Sequence, residues 1–181
     1  MIFRLSQKLA TKFGKNNLPS LPLDENSYVD WSAHLFVADR TQYIILTNTK
    51  SLYSAVMYGK GVTDEGVFID RALSCIREVL DDDGHSFIYQ RFIAPASGNV
   101  RFGKALDRSV TGSINELVKF AKVWLEEGEI SPHDVGFRLN DVLLSALARS
   151  KSDFYWKPRE AFKSLVARPE PKPGGIGAAG P

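Results

Sequence analysis

Apolar positions along this chain follow two rhythms. Trp31–Ala38 and Tyr43–Thr47 are apolar, partly alternating, and rich in β-branched and aromatic residues, which suits a pleated, half-buried strand. Between them, Asp39-Arg40-Thr41-Gln42 reads as a turn with aspartate at its first position. Together they predict an antiparallel hairpin. A third strand is expected over Leu52–Tyr58, closed by Gly59 and Gly61. Shorter strands are expected over residues 2–6 and Asn99–Gly103, whereas residues 86–93 fit helix and strand equally well.

The second rhythm is helical. Phe68, Ile69, Ala72, Leu73, Ile76, Val79 and Leu80 recur with one buried face. Thr63-Asp64-Glu65 suits the start of that helix, where acids favour the dipole, and Asp81-Asp82-Asp83-Gly84 stops it. Ile114, Leu117, Val118, Ala121, Trp124 and Leu125 form a second stripe. Its start is expected at Thr111-Gly112-Ser113, because Ser113 and Glu116 have the spacing of a reciprocal capping box. Gly128 ends it. Shorter helices are expected over Gln7–Phe13, after Ser131-Pro132, over 137–148, and from Lys157 to Val166. From Pro169 onward proline and glycine dominate, and such a segment buries too little to order itself. The expectation is one α+β domain over residues 1–167, a small, mainly antiparallel sheet against amphipathic helices, followed by a disordered tail over 168–181.

Composition narrows the function classes. The chain has 181 residues, 23 lysines and arginines against 21 acids, and a net charge of +2. That balance gives no global signal for nucleic acid, although a local basic patch remains open. Cys75 is the single cysteine. It falls on an apolar helix face and reads as a buried, inert thiol in a reducing compartment. No apolar run approaches the roughly 18–20 residues of a membrane helix. Arg4, Lys8, Lys12 and Lys15 read as the solvated basic face of an ordinary strand and helix rather than a targeting segment. A cytoplasmic protein with no membrane partner, no cofactor and no metal is expected. His34, His85 and His133 lack the spacing of a local metal pair and read as structural or surface residues.

Three groups bear on chemistry. Gly98-Asn-Val-Arg-Phe-Gly-Lys-Ala105 nearly matches a phosphate loop, but Ala105 replaces the hydroxyl that would bind magnesium, and a strand-like alternation occupies the loop. Lys104, Arg108, Ser109, Thr111, Ser113 and Asn115 cluster around a helix start, where free amides and cations attract anions. The same residues have structural roles open to them: Ser113 as a cap, and Arg108 as the partner of an acid. Asp39, Arg40 and Asn48 form a secondary group, with turn and backbone-bonding roles equally available.

Three blocks carry a resemblance: Met1–Leu9, Trp31–Ser54 with its Asp-Arg turn, Thr-Asn and Leu-Tyr-Ser, and Arg108-Ser-Val-Thr-Gly-Ser-Ile-Asn-Glu-Leu117. Together they resemble a bacterial family catalogued as a domain of unknown function, over roughly residues 1–127. Ile114 stands where that pattern has methionine. The resemblance implies a bacterial cytoplasmic protein and points to Asp39, Arg40, Asn48, Arg108, Ser109, Gly112, Ser113 and Asn115 as matched positions. It implies no activity or cofactor. With no recognisable catalytic set, the chain is expected to be a non-enzymatic interaction module that binds a protein or nucleic acid through the Lys104–Asn115 block. The alternative is an enzyme acting on a phosphorylated or nucleotide-like substrate, with Asp39 as its candidate base.

Overall fold

A computed structural model describes residues 1–128, 130–147 and 156–165. Its elements are β1 (Ile2–Leu5), α1 (Gln7–Lys12), β2 (Asp30–Ala38), β3 (Thr41–Asn48), β4 (Ser54–Tyr58), α2 (Glu65–Asp82), α3 (Ser86–Ile88), β5 (Arg101–Lys104), α4 (Arg108–Glu126), α5 (Pro132–Leu139) and α6 (Pro158–Lys163). The five strands form one sheet in the order β4-β3-β2-β1-β5. The expected α+β domain is present. The longer pairings, β2 with β3 and β3 with β4, are antiparallel. The short β1 lies parallel to both β2 and β5, a departure from the purely local hairpin logic. The predicted tail over 168–181 lies outside the described residues.

Pleating divides the side chains between two cores. On one face Phe3, Leu5, Trp31, Ala33, Ile44, Leu46, Ala55 and Met57 meet Phe68, Ala72, Ile76 and Val79 of α2. On the other, Phe36, Tyr43, Ile45 and Val56 meet Ile114, Leu117 and Ala121 of α4, and Val135 and Leu139 of α5. Each fully buried Leu, Ile or Phe contributes about 1.5–3 kcal/mol relative to exposure. The C-terminal part closes the first core: Phe162 of α6 stacks on Tyr53 with ring centroids 4.5 Å apart.

Three expectations are corrected and one open alternative, residues 86–93, is decided. Arg4 is not solvated. Its guanidinium is enclosed and grips Asp30 through two bonds of 2.7 Å each. It also donates to the Leu21 and Pro22 carbonyls at 2.9 and 2.8 Å, which fastens the proline-containing loop over β1. Second, α4 begins at Arg108, not beside Ser113. The Asp107 carboxylate accepts the Val110 N–H at 2.9 Å and is the cap, and the Ser113 hydroxyl instead bonds the Ser109 carbonyl one turn back at 3.1 Å. Third, residues 86–96 are successive short helical turns, including a π-turn over Tyr89–Ile93. Fourth, the hairpin turn is tighter than expected. Asp39 and Arg40 alone form it, with φ of 39° and 60°. Two-residue hairpins favour such left-handed pairs because their twist matches the strands.

Glycine is required at one close approach. A Cβ on Gly136 would lie 2.9 Å from the Val56 nitrogen, so only glycine lets α5 lie this close to β4.

Candidate functional site

The residues singled out in the sequence separate in space. Lys104 ends β5, and Arg108 and Ser109 open α4, all with exposed side chains. Thr111 donates its hydroxyl to the Asp107 carbonyl at 2.9 Å. Ser113 is buried. The helix start holds a carboxylate of its own, Asp107, where an anion would sit. That weakens it as an anion hole, because the capping acid occupies the free amides and repels a second negative charge.

Asp39 and Arg40 are exposed at the hairpin tip. Asn48 is fully buried and fully engaged. It donates to the Ser27 and Asp30 carbonyls at 2.8 and 3.3 Å. It accepts from the Lys50 and Ser51 amides at 3.3 and 3.0 Å, and from the Ser51 hydroxyl at 2.9 Å. These bonds fix the β3–β4 connection.

Of the predicted residues, Asn115 lines a substantial concavity. It is a cleft of about 670 Å³ between α1, the β2–β3 hairpin and α4. Lys8 and Thr11 border it from α1, Gln42 from β3, and Asn115 and Lys122 from α4. Asn115 and Lys122 are two helical turns apart and therefore share a face. Lys12 braces the rim, donating to the Gln42 side chain at 2.8 Å and the Gly59 carbonyl at 3.1 Å. No carboxylate lines the cleft. Among the described residues, neither Lys8 nor Lys122 has an acidic partner.

His34 also borders the cleft. It is only 7% exposed, and its ring has no hydrogen-bond partner among the described residues. Burial lowers its pKa from 6.5 to about 4, so the imidazole is neutral at pH 7. A neutral imidazole carries one donor and one acceptor. Here both remain available to a ligand. An alternating strand makes a histidine look like any inward residue, so nothing in the sequence marked His34. Lys122 could have been found from its helical spacing to Asn115.

Asp39 and Arg108 lie outside the cleft lining, so the trio expected of an enzyme does not converge with Asn115 there. Among the described residues, no three His, Cys, Asp or Glu side chains gather to hold a metal ion. No helix among them is long and apolar enough to cross a membrane.

Fold and site therefore define an open-sheet α+β domain with a basic, carboxylate-free cleft beside its hairpin. The chain belongs to the family described as a domain of unknown function (DUF6933), whose model matches residues 2–161. Neither the curated proteins nor the solved structures contain a match to it.

Proposed function

We propose that this chain is an interaction module that grips an anionic stretch of a macromolecular partner, protein or nucleic acid, in the α1–hairpin–α4 cleft. The observation that carries this reading is the pairing of Lys8 and Lys122, both without acidic partners, around a lining that has no carboxylate. Lys104 and Arg108, exposed near the start of α4, are further cations outside the cleft lining. Gln42, Asn115 and Thr11 supply neutral donors and acceptors for orientation. The family resemblance and the single buried thiol support a bacterial cytoplasmic setting.

Binding is favoured over catalysis on chemical grounds. Efficient general acid–base chemistry wants a group that titrates near the working pH. His34 titrates far below it and has no carboxylate to orient it.

The test is a titration with a labelled single-stranded oligonucleotide and with an acidic peptide, comparing the protein with its Lys8→Ala/Lys122→Ala variant. Weaker binding is expected, and the salt slope for the oligonucleotide should become shallower by about one for each lysine that had neutralised a phosphate. Unchanged affinity for both probes rejects the reading.

A second reading is favoured by His34 itself: an enzyme for a phosphorylated or nucleotide-like substrate, with the free imidazole touching the substrate. It requires turnover that disappears in His34→Gln while the fold persists.

A further inference from the structure

A second concavity, of about 500 Å³, follows the outer edge of β4. Its floor is Val56, Met57 and Tyr58, its walls are α2 and the start of α5, and it shares no residue with the cleft described above.

The hydrogen-bond ladder of this edge has one rung open to a partner among the described residues. In the β3–β4 ladder, Asn48 bonds Tyr53 and Gln42 bonds Gly59. Alternation then turns the peptide groups of Ser54, Val56 and Tyr58 outward. Asn140 satisfies both groups of Ser54 with bonds of 2.7 and 2.9 Å. The Val56 carbonyl takes the Cys75 thiol at 3.6 Å; the Val56 N–H has no hydrogen-bond partner among the described residues but is covered by Gly136, which leaves no room for a second chain. Beyond the strand, Arg71 donates to the Lys60 carbonyl at 2.8 Å. Tyr58 is left, with neither its N–H nor its C=O partnered among the described residues. An unpaired rung at a sheet edge is a template for another extended chain.

The groove also has a charge preference. Asp70 and Glu78 project into it from α2, exposed and without ion-pair partners among the described residues. Arg71 is drawn aside to Lys60, and His133 is held by Asp82 at 2.8 Å. Tyr58 is 54% exposed beside the open rung.

We propose that this groove docks an extended segment of a partner protein carrying lysine or arginine. One residue of the segment exchanges two hydrogen bonds with Tyr58. Pleating sends the side chains on either side of that residue toward α2, because Met57, the neighbour of Tyr58, faces α2 as well. Those side chains are the ones that reach Asp70 and Glu78.

The experiment is an NMR titration of the full chain with three capped peptides: Gly-Lys-Val-Lys-Gly, Gly-Glu-Val-Glu-Gly, and the lysine peptide N-methylated at valine. The expected result is that the lysine peptide shifts the Tyr58 amide and binds about tenfold tighter than either control, the scale of one or two hydrogen bonds or charge contacts. Asp70→Asn/Glu78→Gln removes the preference for lysine over glutamate. Equal binding of the three peptides, no binding at millimolar peptide, or shifts that cluster away from β4 overturns the proposal. Because the groove and the basic cleft share no residues, the Lys8/Lys122 result does not bear on this outcome.

Discussion

The side chain of Asn140 pairs with Ser54 as a neighbouring strand would. It accepts the Ser54 N–H at 2.7 Å and donates to its carbonyl at 2.9 Å, across 86 residues of chain. Both residues are fully buried. A single amide thus closes part of the β4 edge and anchors the end of α5. Asn140→Ala leaves a buried donor and a buried acceptor unpaired, each costing about 1–3 kcal/mol. Urea unfolding is expected to show a loss of several kcal/mol. Asn140→Asp is expected to fall short of rescue, since an ionised carboxylate accepts but does not donate.

Arg4 and Asp30 form an enclosed pair, with side-chain exposures of 0% and 2%. Removing one partner strands a buried charge, at a cost of about 3–5 kcal/mol. Arg4→Met is therefore expected to be severely destabilising. The double change Arg4→Met/Asp30→Leu is expected to recover part of the loss, because no bare charge remains. A double-mutant cycle by chemical denaturation measures both.

His34 makes stability depend on pH in a defined window. Its folded pKa of about 4 lies below its ordinary value of 6.5. Between those values the unfolded chain binds the extra proton, so stability falls as pH drops from about 6.5 to about 4 and then levels. The full contribution is about 3 kcal/mol. Denaturant midpoints taken across this window are expected to fall less steeply in His34→Gln than in the unaltered protein. Parallel slopes would assign the pH response to other groups.

The cap of α4 gives a sharp comparison. Asp107→Ala removes the side chain that accepts the Val110 N–H, and about 1 kcal/mol of stability is expected to go with it. Ser113→Ala removes a hydroxyl that bonds back within the helix. That bond contributes little and alanine is the better helix former, so a change within about 0.5 kcal/mol is expected. The opposite order of effects in thermal unfolding would place the helix start at Ser113 after all.

That last comparison shows how a local signal can mislead. Ser113 and Glu116 have capping-box spacing, yet the helix runs through them. The chain carries a second acceptor, Asp107, three residues before Val110, and the packing of Val110 against the α4 core extends the helix back to it. Local spacing offered both starts, and a tertiary contact selected one.

The residue pattern alone determined the two amphipathic stripes, the β2–β3 hairpin and the closure of α4 at Gly128, because helical and strand periodicities are properties of neighbouring residues. Tertiary structure decided what depends on residues far apart in the chain. It set β1 between β2 and β5, enclosed Arg4 against Asp30, and gathered Lys8, His34, Asn115 and Lys122 around one cleft. It also left Tyr58 as the open rung of β4. Whether a lysine, a histidine or a peptide group stays free is set by what the rest of the chain brings to it, and no short window of sequence contains that partner.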